Sequence, residues 1–136
     1  VINMATEILV NDGGAPARIL PYTAGSTVTA GKIVTIGTDG QVDHVSVSGT
    51  KMLGVALTAA ESGNICNVIS GHGVQLNVYI SGALVAVGDE LVAGAGSFSG
   101  MLLERSGSTG THQGQVLAIA LETGSATAGL AKVQIV

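Results

Sequence analysis

The sequence predicts an all-β fold: a compact, pseudo-symmetric β-sandwich or barrel of short strands carrying an extended N-terminal arm. Three observations carry that prediction. Glycine supplies 21 of 136 residues while charge is sparse, a pairing that marks many tight turns between short strands. The apolar residues are almost all Val, Ile, Leu and Ala, with one Phe, two Tyr and no Trp, which suits the thin interior between pleated sheets. The third is a repeat: Leu53-Gly-Val-Ala-Leu57 and Leu117-Ala-Ile-Ala-Leu121 each lead through a small polar turn into an apolar strand.

Residues 1–20 read as an extended arm, and residues 21–136 as a single β-domain with two related halves at about 25–70 and 82–136. In the arm, Ile8, Val10, Ile19 and Leu20 are sparse apolar anchors, Asn11-Asp-Gly-Gly14 signals a turn, and Pro16 and Pro21 are expected to prevent a continuous ladder. Next, Gly25, Gly31 and Gly37 punctuate a strand at Ile33–Ile36, and they recur 57 residues on as Gly82, Gly88 and Gly94, with Val34 matched by Leu91. Two copies are too few for a solenoid, so each half is expected to supply a hairpin and a turn-back strand to one core. Between them, Val74, Leu76, Val78 and Ile80 alternate with Gln75, Asn77 and Tyr79, a strand with one buried face. Ser97 to Gly114 reads mostly as an exposed Gly-rich loop, apolar only at Phe98 and from Met101 to Leu103. Ala59–Glu61 and Thr123–Gly129 have room for a helical turn; no long helix is predicted.

Composition excludes several classes of function. The formal charge is −4 and the five basic residues never cluster, so no surface is built to displace counterions from DNA or RNA, and direct nucleic-acid binding is not expected. Ser62 to Gly88 lacks Asp, Glu, Lys and Arg, but Asn64, Asn67, His72, Gln75 and Asn77 interrupt it, so no membrane span is expected. The start lacks the basic and apolar regions of a secretory signal. Cys66 stands alone, consistent with synthesis in a reducing cytoplasm and with a buried small hydrophobe.

Motifs for catalysis fail on spacing. Gly25 to Lys32 imitates a phosphate loop, yet five residues separate Gly25 from Gly31 where a P-loop has four, and Ile33 stands where it needs Ser or Thr. Gly96-Ser-Phe-Ser-Gly100 matches the letters of a nucleophile elbow with no helix predicted behind it. His44, His72 and His112 never approach metal-ligand spacing with each other or with Cys66. His72, between two glycines, reads as a turn residue, and Asp89 and Glu90, as neighbours in a strand, point to opposite faces. No catalytic, metal or cofactor residue is named, and the chain is expected to be a non-enzyme working by shape and contact.

In this order, the Gly25–Gly31 hairpin, the Gly54-Val-Ala56 strand, the Ala59-Ala-Glu-Ser-Gly63 turn, Gly73-Val74, the second hairpin from Gly82 to Glu90 and Leu117–Leu121 resemble the plan of tailed-phage capsid decoration, or cement, proteins. Members of that family often carry a recombinase-like label, against which the failed phosphate loop argues. The resemblance implies a structural virion protein, made in the host cytoplasm, that binds the major capsid protein on the outer surface of an assembled head, as a homotrimer, and stabilises it. It also gives the arm a purpose, with Ile2, Met4, Ile8 and Val10 as capsid-binding anchors of an added strand. Phe98 and Met101 are the candidate loop contacts. A binding module of a tail or fibre appendage, or a minor shell protein, is the alternative with the same composition.

Overall fold

The structure is a computed structural model that describes residues 8–9, 18–46, 52–81, 85–94, 99–104, 116–123 and 129–136. Among these residues there are eleven strands and no helix, so the fold is all-β as predicted. The first is β1 (Ile8–Leu9). The next five are β2 (Arg18–Thr23), β3 (Ile33–Ile36), β4 (Val42–His44), β5 (Gly54–Ala56) and β6 (Ile65–Ser70). The last five are β7 (Gln75–Ser81), β8 (Glu90–Ala93), β9 (Leu102–Glu104), β10 (Ala118–Ala120) and β11 (Gly129–Ile135).

The strands form two sheets of the same plan. One has the order β2-β6-β5-β3-β4; the other runs β7-β11-β10-β8-β9, with β1 added beside β7. In each, the first and last strands of that order meet in parallel: Ala24 bridges Val42, and Ile80 and Ser81 pair Leu102 and Leu103. Closure of both sheets into small barrels removes most strand edges, the liability of any β-protein.

The correspondence extends to single hydrogen bonds. Leu53 N–H donates to Val34 C=O at 2.7 Å and Leu117 N–H to Leu91 C=O at 2.8 Å. Gly31 N–H donates to Ala56 C=O and Gly88 N–H to Ala120 C=O, both at 2.8 Å. Both glycines sit in the left-handed region, at φ 89° and 90°, where a side chain would be strained. The repeat therefore starts earlier than the sequence marks: β2 is the counterpart of β7, because Ala24↔Val42 in one barrel matches Ile80↔Leu102 in the other.

Core residues follow this plan. Val28, Val34, Val42, Ala56, Cys66 and Val68 fill the first barrel. Val78, Ile80, Val85, Leu91, Leu102 and Val133 fill the second, whose cluster also takes in Ile33, Val45, Val55 and Ile69 from the outer side of the first. One continuous apolar layer thus joins the barrels.

Several local expectations need correction. Pro21 lies inside β2, paired with Asn67, and does not interrupt the ladder. It is tolerated because Asn67 turns away from it: the Asn67 N–H goes to Thr58 Oγ1 at 3.1 Å and its C=O accepts from Leu57. That pair exchanges no hydrogen bond, so the missing proline N–H costs nothing. Ala60 forms a bridge with Val28 where a helical turn had room, and Leu102–Glu104 of the expected long loop is strand β9. The turn at 11–14, most of that loop and residues 124–128 lie outside the described residues.

Candidate interaction surface

Pro21 also sets the direction of every backbone group on β2. Successive residues of a strand turn their N–H and C=O to alternate edges, so Ile19 and Thr23 direct both groups, and Pro21 its C=O alone, away from β6. On the counterpart β7 the same edge is covered. Leu9 of β1 pairs with Gln75, and Tyr79 N–H donates to Gly31 C=O at 2.9 Å. On β2, among the described residues, no strand pairs with that edge at Ile19 and Pro21. Ile19 is 50% exposed there and Leu20 41%, and Ile65, across from Thr23 on β6, is 58% exposed. An open strand edge bordered by exposed apolar side chains is a template for an added strand where its backbone groups are free.

The polar groups that could have carried chemistry are tied to backbone instead. His44 Nε2 accepts the Thr29 N–H at 3.0 Å, which requires that nitrogen to be unprotonated. Burial, and then the neighbouring Lys32 charge, hold His44 below the ordinary imidazole value, against the opposing pull of Asp43. Asp89 Oδ2 accepts the Ala86 N–H at 2.8 Å, and Glu122 Oε2 the Lys132 N–H at 2.9 Å. Cys66 is fully buried with its Sγ 3.3 Å from Thr58 C=O, and burial pushes its thiol pKa up, which disfavours the reactive thiolate. His72 is exposed and lines a cleft between the barrels with Met52, Leu53, Ser70, Leu117, Ile135 and Val136. Among the described residues no group of His, Cys, Asp or Glu could hold a metal ion, and no helix is long and apolar enough to cross a membrane.

With that geometry in place, likeness to known proteins becomes informative. The N-terminal base of the head fibre protein gp8.5 of bacteriophage phi29, a crystal structure, superimposes with a TM-score of 0.64. The match covers 88% of this chain and 94% of that one, at 20% identity. The two share a fold. No protein-family model matches the sequence, and no curated protein does either.

The structure brings few of the sequence-derived contact residues together. Ile8 is in β1, paired with Leu76 of its own chain. Ile2, Met4, Val10 and Phe98 lie outside the described residues. Met101 is half-buried, and its C=O accepts the Gly94 N–H at 3.0 Å as part of the turn between β8 and β9. Sequence reasoning missed the β2 edge. The available signal was Pro21 itself, since a proline within an apolar strand pattern points to an edge.

Proposed function

We propose that this chain is a structural protein of a bacteriophage virion that binds the outside of an assembled head through the major capsid protein and stabilises the shell as a decoration, or cement, protein. The observation that supports the reading is the β2 edge, unpaired at Ile19 and Pro21 among the described residues, with Ile19 and Leu20 exposed beside it. Its fold, shared with a phage head-fibre base, supports the virion setting. A protein that binds the assembled shell and not its free subunits shifts assembly by mass action, and many copies multiply a modest contact. The arm adds to that contact through Ile2, Met4, Ile8 and Val10, with Phe98 and Met101 as loop contacts. The chain works as a homotrimer on the outer capsid surface, is made in the host cytoplasm, and uses no cofactor, nucleic acid or membrane. It is not an enzyme: His44, Asp89 and Glu122 are engaged in holding backbone amides.

The likeness to a head-fibre base favours a second reading, in which the same barrels anchor a fibre on the head. Heads lacking the protein, incubated with the purified chain, separate the two. A decoration protein binds and raises the temperature at which packaged DNA is released; a fibre base binds without moving it. Absence of binding overturns both readings. Removal of residues 1–12 is expected to abolish retention on heads while the barrels stay folded, and undiminished retention would sink the role of the arm.

A further inference from the structure

The two barrels dock through unlike surfaces, and each barrel carries a copy of both. The first barrel offers Ala30, Gly31, Ile33 and Val45. Gly31 C=O accepts the Tyr79 N–H at 2.9 Å, Ile33 N–H donates to Gly100 C=O at 2.9 Å, and Gly100 N–H donates to Val45 C=O at 2.8 Å. Lys32 lies over the Tyr79 ring, 5.6 Å from its centre. The second barrel inserts Tyr79 and Gly100. Gly100 is buried, and a Cβ placed on it would stand 3.0 Å from Lys32 Cδ and 3.1 Å from His44 Cγ.

Both surfaces recur where the internal contact does not use them. The receiving surface reappears on the second barrel as Val87, Gly88, Asp89 and Glu90, the counterparts of Ala30, Gly31, Lys32 and Ile33. Ala30, beside the Gly31 carbonyl that meets Tyr79, is 4% exposed, whereas Val87 is 66% exposed. The inserting surface reappears on the first barrel. Thr23 stands where β7 has Tyr79, its N–H turned away from β6. Gly40 stands where the second barrel has Gly100, with the same turn at φ 78° against 77° and open space around it.

We infer that Val87 and Gly88 of one copy receive Thr23 and Gly40 of a second copy, repeating between chains the contact that joins the two barrels within one. The partner is another copy of this chain. The contact is head-to-tail, so it closes into a ring or runs on as a chain of subunits. It is weaker than the internal one, because Glu90 replaces the fully buried Ile33 and leaves this surface without its apolar plug. The contact deepens the self-association part of the reading above and rests on it, and it is independent of the shell partner.

The test mixes two variants, Val87→Cys and Thr23→Cys, with a short bis-maleimide; native Cys66 is fully buried. Crosslinked dimer is expected to form in the mixture far above its level in either variant alone. Equal crosslinking of Val87→Cys by itself, or none in the mixture, overturns the contact. Sedimentation velocity supplies the second measurement: Val87→Glu should convert the oligomer to a monomer that keeps the wild-type circular dichroism spectrum. An oligomer that survives Val87→Glu overturns this contact and leaves the trimer standing on another surface. A wild-type chain that stays monomeric at tens of micromolar overturns both.

Discussion

The two barrels have one backbone plan and different outer faces. On the first, Ile33, Val55 and Ile69 are 0%, 1% and 0% exposed. Their counterparts on the second, Glu90, Ile119 and Gln134, are exposed or half-buried, and Gln75 Nε2 donates to Gln134 Oε1 at 3.5 Å. The difference follows from position. The outer face of the first barrel is covered by the second, so it must be apolar; the equivalent face of the second is not so covered and carries polar side chains. A second contrast concerns amides that the ladders leave over. The N–H of Thr29 and its counterpart Ala86 are held by His44 and Asp89, and those of Asn67 and Lys132 by Thr58 and Glu122. The requirement repeats because it comes from the backbone, while any acceptor of suitable reach satisfies it. That is how a duplicated structure comes to look so little duplicated in sequence.

The comparison can be broken most severely at Ile33. Ile33→Glu copies the second barrel's residue onto the first and buries a charge without a partner, so it is expected to lower unfolding stability by about 3 kcal/mol or more, measured by urea denaturation. A small loss would mean that the second barrel does not cover this face. Next comes Gly54, where a Cβ would collide with the Ile69 C=O and stand 2.8 Å from Val68 Cγ1. Gly54→Ala should cost about 3 kcal/mol, whereas the reverse change at its counterpart, Ala118→Gly, should cost about 1 kcal/mol. Similar costs in both would show that the barrels are packed more alike than these contacts say.

Thr58→Ala removes the acceptor of the Asn67 amide and should cost about 1 kcal/mol. If the two amides are equivalent, Glu122→Ala should follow it within a factor of about two. The smallest effect is that of pH on His44. Because its folded pKa lies below the ordinary imidazole value of 6.5, the unfolded state binds the proton more readily. Its contribution is therefore complete above that value and is lost as pH falls through the folded one. His44→Gln should flatten that part of a stability-versus-pH curve, and an unchanged slope would assign it to other groups.

How much of this was legible in the sequence varied by element. Of the glycines that recur 57 residues apart, Gly31 and Gly88 marked the starts of β3 and β8 correctly, because their left-handed turn admits little else. Leu53–Leu57 and Leu117–Leu121 marked β5 and β10, whose apolar runs reflect burial in both barrels. The pairing of β2 with β7 was hidden: Ile19-Leu-Pro-Tyr-Thr23 and Gln75-Leu-Asn-Val-Tyr79 share only a leucine at matched positions. One strand is covered along its outer edge by β1 and Gly31, the other is open there, and the side chains differ accordingly. Pro21 was the one mark of an edge in the sequence, but the exposure of Ile19 beside it was not legible, since it depends on how distant parts of the chain pack.

The sequence by itself determined the strand class, the turns and the internal repeat, all of which follow from local steric rules and a short-range apolar period. Tertiary structure alone decided three further matters: that each repeat closes by a parallel pairing, that one barrel covers the outer face of the other, and that among the described residues no strand pairs with the β2 edge at Ile19 while Val87 stays exposed. These depend on residues distant in sequence. A side chain at Ile33 or Val87 carries no mark of its neighbours until the barrels are folded and docked.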